Sequence, residues 1–182
     1  MASNSLFNSK FIWRAVAVAL ALLSTAACSP TWNWREVQGN DAPYSVLFPG
    51  KPASMSRTVD LNGLKVNMSM TASEANDVTF AVGSAVVADP AQRQAALLAM
   101  QVAMVRNIGG EIRRQQAVQL AGGIAAVEIE AIGQGRNASE KTLLVARFAS
   151  NDNRVYQAVA VGPQKKLPQE AIDTFFSSLA LH

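Results

Sequence analysis

The stretch Arg57-Thr58-Val59-Asp60-Leu61-Asn62-Gly63-Leu64-Lys65-Val66-Asn67-Met68-Ser69-Met70-Thr71-Ala72 decides the fold class. Asn62-Gly63 is the pair that best tolerates the positive φ angles of a two-residue hairpin turn. Beyond it Val66, Met68, Met70 and Ala72 alternate with Lys65, Asn67, Ser69 and Thr71, the period of a strand with one buried and one polar face. The segment is read as two antiparallel strands, and its neighbours extend the same pattern.

Upstream, Tyr44, Val46 and Phe48 alternate with Ser45 and Leu47, and Pro49-Gly50-Lys51-Pro52 ends that strand because proline cannot donate to a ladder. Downstream, a strand is expected at residues 78–87, with Phe80 and Val82 on one side of the pleat. Asp89 before Pro90, with Gln92 three residues after Asp89, marks a helix start, and Gly109-Gly110 marks its end after Ile108. Leu97, Met104 and Ile108, with Leu98, Val102 and Val105 beside them, form a broad apolar stripe expected to be core.

Three or four further strands follow, at residues 112–120, 124–132, 142–149 and 155–161. Gly122-Gly123, the polar stretch 133–141 and Asn151-Asp152-Asn153 separate them as hairpin connections. A last helix begins near Pro168, with Ile172, Phe175, Phe176 and Leu179 at the spacing of one helical face. One antiparallel sheet carrying an inserted helix and a C-terminal helix belongs to the α+β class.

Two short motifs frame this order. Tyr44-Ser45-Val46-Leu47-Phe48-Pro49-Gly50-Lys51-Pro52 and Phe175-Phe176-Ser177-Ser178-Leu179 resemble the opening and closing of PsbP-like domains, an α-β-α sandwich superfamily. The resemblance spans residues 44–180 in element order. It implies proteins that act through surfaces, as extrinsic photosystem subunits and small adaptors do, and not through catalytic residues. Metal-related roles of some relatives do not carry over, because the one histidine is His182.

The N-terminus reads as an export signal over residues 1–27: Lys10 and Arg14, the apolar run Ala15 to Leu23, then the small residues Ser24 to Ala27. That run is too short for a span, which needs about 20 apolar residues in helical form. Thr25-Ala26-Ala27-Cys28 resembles the lipobox of bacterial lipoproteins, although the pattern favours leucine where Thr25 stands. It implies acylation of Cys28, with palmitate among the expected chains, and a lipid-anchored tether over 28–43 ahead of a single domain at 44–182. Ordinary signal-peptidase cleavage after Ala27 would instead release a soluble periplasmic protein. Ser29 after the cysteine, where aspartate is absent, implies by the same family rule the outer membrane, with the domain facing the periplasm. Trp32 and Trp34 are candidates for membrane contact, since indoles favour the headgroup region; the alternative is that Trp32-Asn33-Trp34-Arg35 opens a short strand, expected at residues 34–38, and buries both rings.

Composition removes several functions. Loss of Lys10 and Arg14 with the signal lowers the net charge from +3 to +1, so there is no electrostatic case for a nucleic-acid partner. One cysteine and one histidine, the latter expected to fray at the terminus, rule out a Cys-His pair, a zinc cluster or a Ser-His-Asp triad within one chain. No metal and no cofactor is expected, and the glycine pairs lack phosphate-loop spacing.

The catalytic candidates are Glu128 and Glu130, two apart on one strand and so on one face, where close carboxylates can divide into acid and base. The alternative is a solvated polar stripe, with Val127 and Ile129 facing the core and Arg147 or Arg154 pairing with the glutamates. Met55, Met68, Met70, Met100 and Met104 are either core or the lining of an apolar-ligand pocket. The expectation is therefore a non-enzymatic envelope module that binds another protein or component. A paired-carboxylate hydrolase and an apolar-ligand carrier are the alternatives.

Overall fold

A computed structural model describes residues 31–135 and 140–182. The expected signal at 1–27 and Cys28 lie outside the described residues. Thr31–His182 forms one compact unit. Its elements are β1 (Arg35–Gln38), β2 (Tyr44–Phe48), β3 (Ala53–Leu61), β4 (Leu64–Ala75), β5 (Val78–Val86), α1 (Pro90–Asn107), β6 (Glu111–Gln119), β7 (Ala125–Gln134), β8 (Lys141–Asn151), β9 (Arg154–Pro163), a 3-10 turn (Gln164–Lys166), α2 (Gln169–Ser177) and β10 (Ala180–Leu181).

The expected hairpin is present: Leu61 pairs with Leu64 across Asn62 (φ 58°) and Gly63 (φ 90°). A second two-residue turn, Asn76 (φ 54°) and Asp77 (φ 61°), joins β4 to β5. The Asp89 carboxylate accepts from the Ala91 N–H at 2.9 Å and starts α1 behind Pro90. Gly109, at φ 54°, ends it: its N–H donates to the Arg106 carbonyl and the Gly110 N–H to the Val105 carbonyl, the Schellman pattern. Gly133 lets β7 pass this helix end, where a Cβ would stand 2.1 Å from the Ile108 carbonyl oxygen.

The fold is α+β, with every strand pair antiparallel, but its strands form two sheets and not one. The larger has seven strands in the order β3-β4-β5-β9-β8-β7-β6, and the smaller has three in the order β1-β2-β10. β2 joins the smaller sheet because β1 takes one of its edges and the two-residue β10 the other. Residues 31–43, expected as tether, pack on the domain with Ala42 buried, and the short strand expected at 34–38 is present as β1.

Both faces of the large sheet are covered. α1 packs on one face over Val66, Met68, Ile129, Leu144 and Phe148. α2 and the small sheet cover the other, where Phe48, Phe80, Phe175 and Phe176 interlock with ring centroids 5.1–5.7 Å apart. Each such aromatic pair contributes about 0.5–1.5 kcal/mol beyond its area burial. Double coverage explains why residues 155–160 of β9 are buried without alternation. It also buries Thr71, which the alternation in β4 placed on a polar face, together with Ser73.

Candidate functional site

Glu128 and Glu130 do share a face of β7, as their spacing requires, and that face is the one α2 covers. Glu128 is only 6% exposed. Cross-strand register sets Gln116, Glu128 and Arg147 side by side on β6, β7 and β8. Arg147 Nε donates to Glu128 Oε2 at 2.8 Å, and Gln116 Nε2 donates to Oε1 at 3.0 Å. Arg147 Nη1 also donates to the Phe176 carbonyl at 3.0 Å, and its guanidinium lies 4.9 Å from the centroid of the Phe176 ring. The glutamate thus sits in a cross-strand network that ties the last turn of α2 to the sheet.

The solvated stripe expected of this strand is therefore not what Glu128 occupies, because the helix that docks on its face removes it from water. Glu130 remains part-exposed and pairs with Arg114 at 3.3 Å. Arg114, and not Arg154, takes that place because it stands opposite Glu130, whereas Arg154 opens β9 opposite Val86 and Asn151. Ile129 faces the α1 core fully buried, and Val127 is half-buried there. Both carboxylates are held by cations, an arrangement suited to fixing the helix.

Trp32 and Trp34 are half-buried and stack on each other at 6.1 Å between centroids, and both meet the Phe80 ring edge-on. They precede β1 and pack against the α2-side core. His182 is tied down: its N–H donates to the Pro43 carbonyl, its ring Nε2 lies 3.1 Å from Ser45 Oγ, and Asn151 donates to its carbonyl. The pairing of β10 with β2 carries it there. Among the described residues no carboxylate pairs with its ring, and no cluster of three His, Cys, Asp or Glu side chains able to hold a metal is present. Met68 and Met100 are buried core, Met70 and Met104 are half-buried beside them, and Met55 is exposed.

The feature that sequence reasoning missed is the outer face of α1. The apolar stripe was expected to be core throughout, but Leu98 is 51% and Val102 63% exposed. Only Ala96 and Met100 are fully buried, since a helix lying on a sheet can turn inward just one side. Grooves of about 450 Å³ flank the ridge, one beside Asp60 and Asn62, the other between Val102, Val105 and Ile112. The signal was legible: α1 is apolar on nearly every side and its only charges are Arg93 and Arg106, more than one sheet face can absorb.

Two helices on a doubly covered antiparallel sheet define the PsbP-like fold. The solution structure of cyanobacterial PsbP, CyanoP, from Synechocystis sp. PCC 6803 matches it with a TM-score of 0.56 at 13% identity, covering 88% of this chain and 99% of CyanoP. A crystal structure of PA94, a protein of unknown function from Pseudomonas aeruginosa, matches with a TM-score of 0.40 at 13% identity, over 75% of this chain and 88% of that one. No family model matches the chain, and no curated protein does. No helix among the described residues is long and apolar enough to cross a membrane.

Proposed function

We propose that this chain is an envelope lipoprotein, anchored at the outer membrane through acylated Cys28, whose folded unit binds a protein partner through the outer face of α1. The observation that carries the binding role is the exposed ridge of Leu98 and Val102 on a helix without acidic residues. Contiguous exposed apolar surface of this kind marks interaction sites. The absence of a free acid–base pair at Glu128 and Glu130 favours binding over hydrolysis. The packing of Met68 and Met100 into the core disfavours the carrier reading.

The anchor rests on the sequence of residues 1–28. Only Ser29 and Pro30 separate Cys28 from the folded unit at Thr31, so the tether would be short and the domain would stand at the headgroup level. Trp32 and Trp34 would then lie beside the anchor.

The intact mass of the envelope-extracted protein, compared with Cys28→Ala, reads the anchor. An unmodified chain would sink that part of the proposal. In-cell crosslinking reads the binding role: wild type should capture a defined partner that Leu98→Asp and Val102→Asp lose. Equal capture by those variants, or none by wild type, would refute it.

A further inference from the structure

We infer that the partner is an extended segment that adds to the free edge of β6 as an eighth strand, setting alternate side chains against the groove between β6 and α1. This rests on the binding role proposed above and names the chemistry of what is bound.

Among the described residues β6 pairs only with β7, and its residues 111–117 are all exposed. Natural sheets guard such edges with charges, proline or bulges. The first half of β6 has these guards, in Glu111, Arg113, Arg114 and a bulge between Ile112 and Arg114. From Gln115 to Gln119 the strand has no charge, no proline and no bulge. The opposite edge, β3, carries Arg57 and Asp60 within its length and Pro52 just ahead of it. Of the two edges, the second half of β6 offers the longer unguarded ladder.

The first, guarded half of this edge adjoins the apolar groove, so an antiparallel strand paired with Gln115 to Gln119 would reach the groove with its C-terminal part. Ile112 stands opposite Ala131, on the face that α1 covers, and lines about 450 Å³ together with Val102 and Val105. Gln101 Nε2 donates to Gln115 Oε1 at 3.1 Å, which holds helix and strand together across that space. A strand added at the usual spacing of about 4.8 Å would direct every second side chain of that part toward the groove. Main-chain bonds to β6 would then supply affinity and the groove would select apolar side chains.

Charge sets the direction. Arg106 borders the groove, is exposed and makes no ion pair among the described residues, whereas Arg113 at the bulge is already paired with Glu111 at 2.6 Å. An antiparallel eighth strand would bring its C-terminal end to Arg106. The fitting occupant alternates apolar with polar residues and carries carboxylates toward that end.

The probe is a fluorescein-labelled peptide of alternating valine and threonine with two glutamates at its C-terminal end, titrated against the Thr31–His182 unit. Saturable binding is expected, with slowed hydrogen exchange at β6 amides that do not bond β7, and with no change at β3. Val102→Asp, a change at an exposed position, should weaken binding about tenfold or more. Methylating alternate peptide amides should abolish binding for one of the two registers. No saturable binding, protection at β3, or indifference to both methylated peptides would overturn the inference. Should crosslinked capture still depend on Leu98 and Val102 in that case, the binding role would stand and only the strand-addition chemistry would fall.

Discussion

Replacing Arg147 with methionine keeps an unbranched apolar stem and removes the guanidinium with its charge and donors. What remains is the Glu128 carboxylate at 6% exposure, with Gln116 at 3.0 Å and Arg114 at 3.5 Å as its donors. Breaking a buried pair by removing one partner costs about 3–5 kcal/mol. Arg114 still neutralises part of the charge, and the Arg147 side chain is 20% exposed, so the low end applies, about 3 kcal/mol. The bond to the Phe176 carbonyl adds about 1 kcal/mol. For a unit of this size, about 3–4 kcal/mol lowers Tm by roughly 6–16 °C. Glu128→Met should cost less, about 1–3 kcal/mol, because Arg147 keeps the Phe176 carbonyl and partial access to water. The double variant should recover most of the loss, since two apolar side chains replace the whole pair. Urea unfolding followed by the fluorescence of Trp32 and Trp34, with circular dichroism as a second probe, gives all four corners of the cycle. A cost for Arg147→Met below about 0.5 kcal/mol, the value of an exposed pair, would refute the reasoning. Strict additivity in the double variant would refute it equally.

The remaining predictions concern the frame. Gly133→Ala should destabilise more than Gly63→Ala: the former drives a Cβ onto the Ile108 carbonyl, whereas the latter meets open space and costs only its positive φ, about 1 kcal/mol or slightly more; comparable urea midpoints would contradict this. Asp89→Ala should cost about 1 kcal/mol through loss of the α1 cap, read in the same assay. Burial raises the Tyr44 phenol above its ordinary 10.0, with a Thr71 hydrogen bond opposing and Asp41 adding; burial likewise raises Tyr156, opposed by Arg154 and aided by Asp152 and Tyr44. A folded-state value above the unfolded one leaves stability untouched at neutral pH and removes it as pH climbs past about 10. Tm should therefore fall more steeply above that pH in wild type than in a Tyr44→Phe/Tyr156→Phe variant, and parallel slopes would exclude the linkage.

Local chemistry carried much of the fold in plain view. Asn62-Gly63, Asp89-Pro90, Gly109-Gly110 and the spacing of Phe175 and Phe176 are each set by φ preference, capping or one helical face, and each lies where those rules place it. Strand ends drifted where no breaker stood: β4 continues to Ala75 and β3 begins at Ala53. β10 was missed because two residues after a helix have no period of their own. Glu128 was misjudged as solvated because period two describes which side of a strand a residue takes, and says nothing of what later docks there.

The sequence by itself determined the α+β class, the turn sites, the helix limits and the shared face of Glu128 and Glu130, all consequences of interactions within a few residues. Only the tertiary structure decided that β2 leaves the main sheet, that α2 covers Glu128, that Arg147 and not Arg154 meets it, and that α1 turns Leu98 and Val102 to solvent. Those outcomes depend on which faces meet across long separations, as between Arg147 and Phe176, and burial of a face is a property of its partner as much as of the strand or helix that bears it.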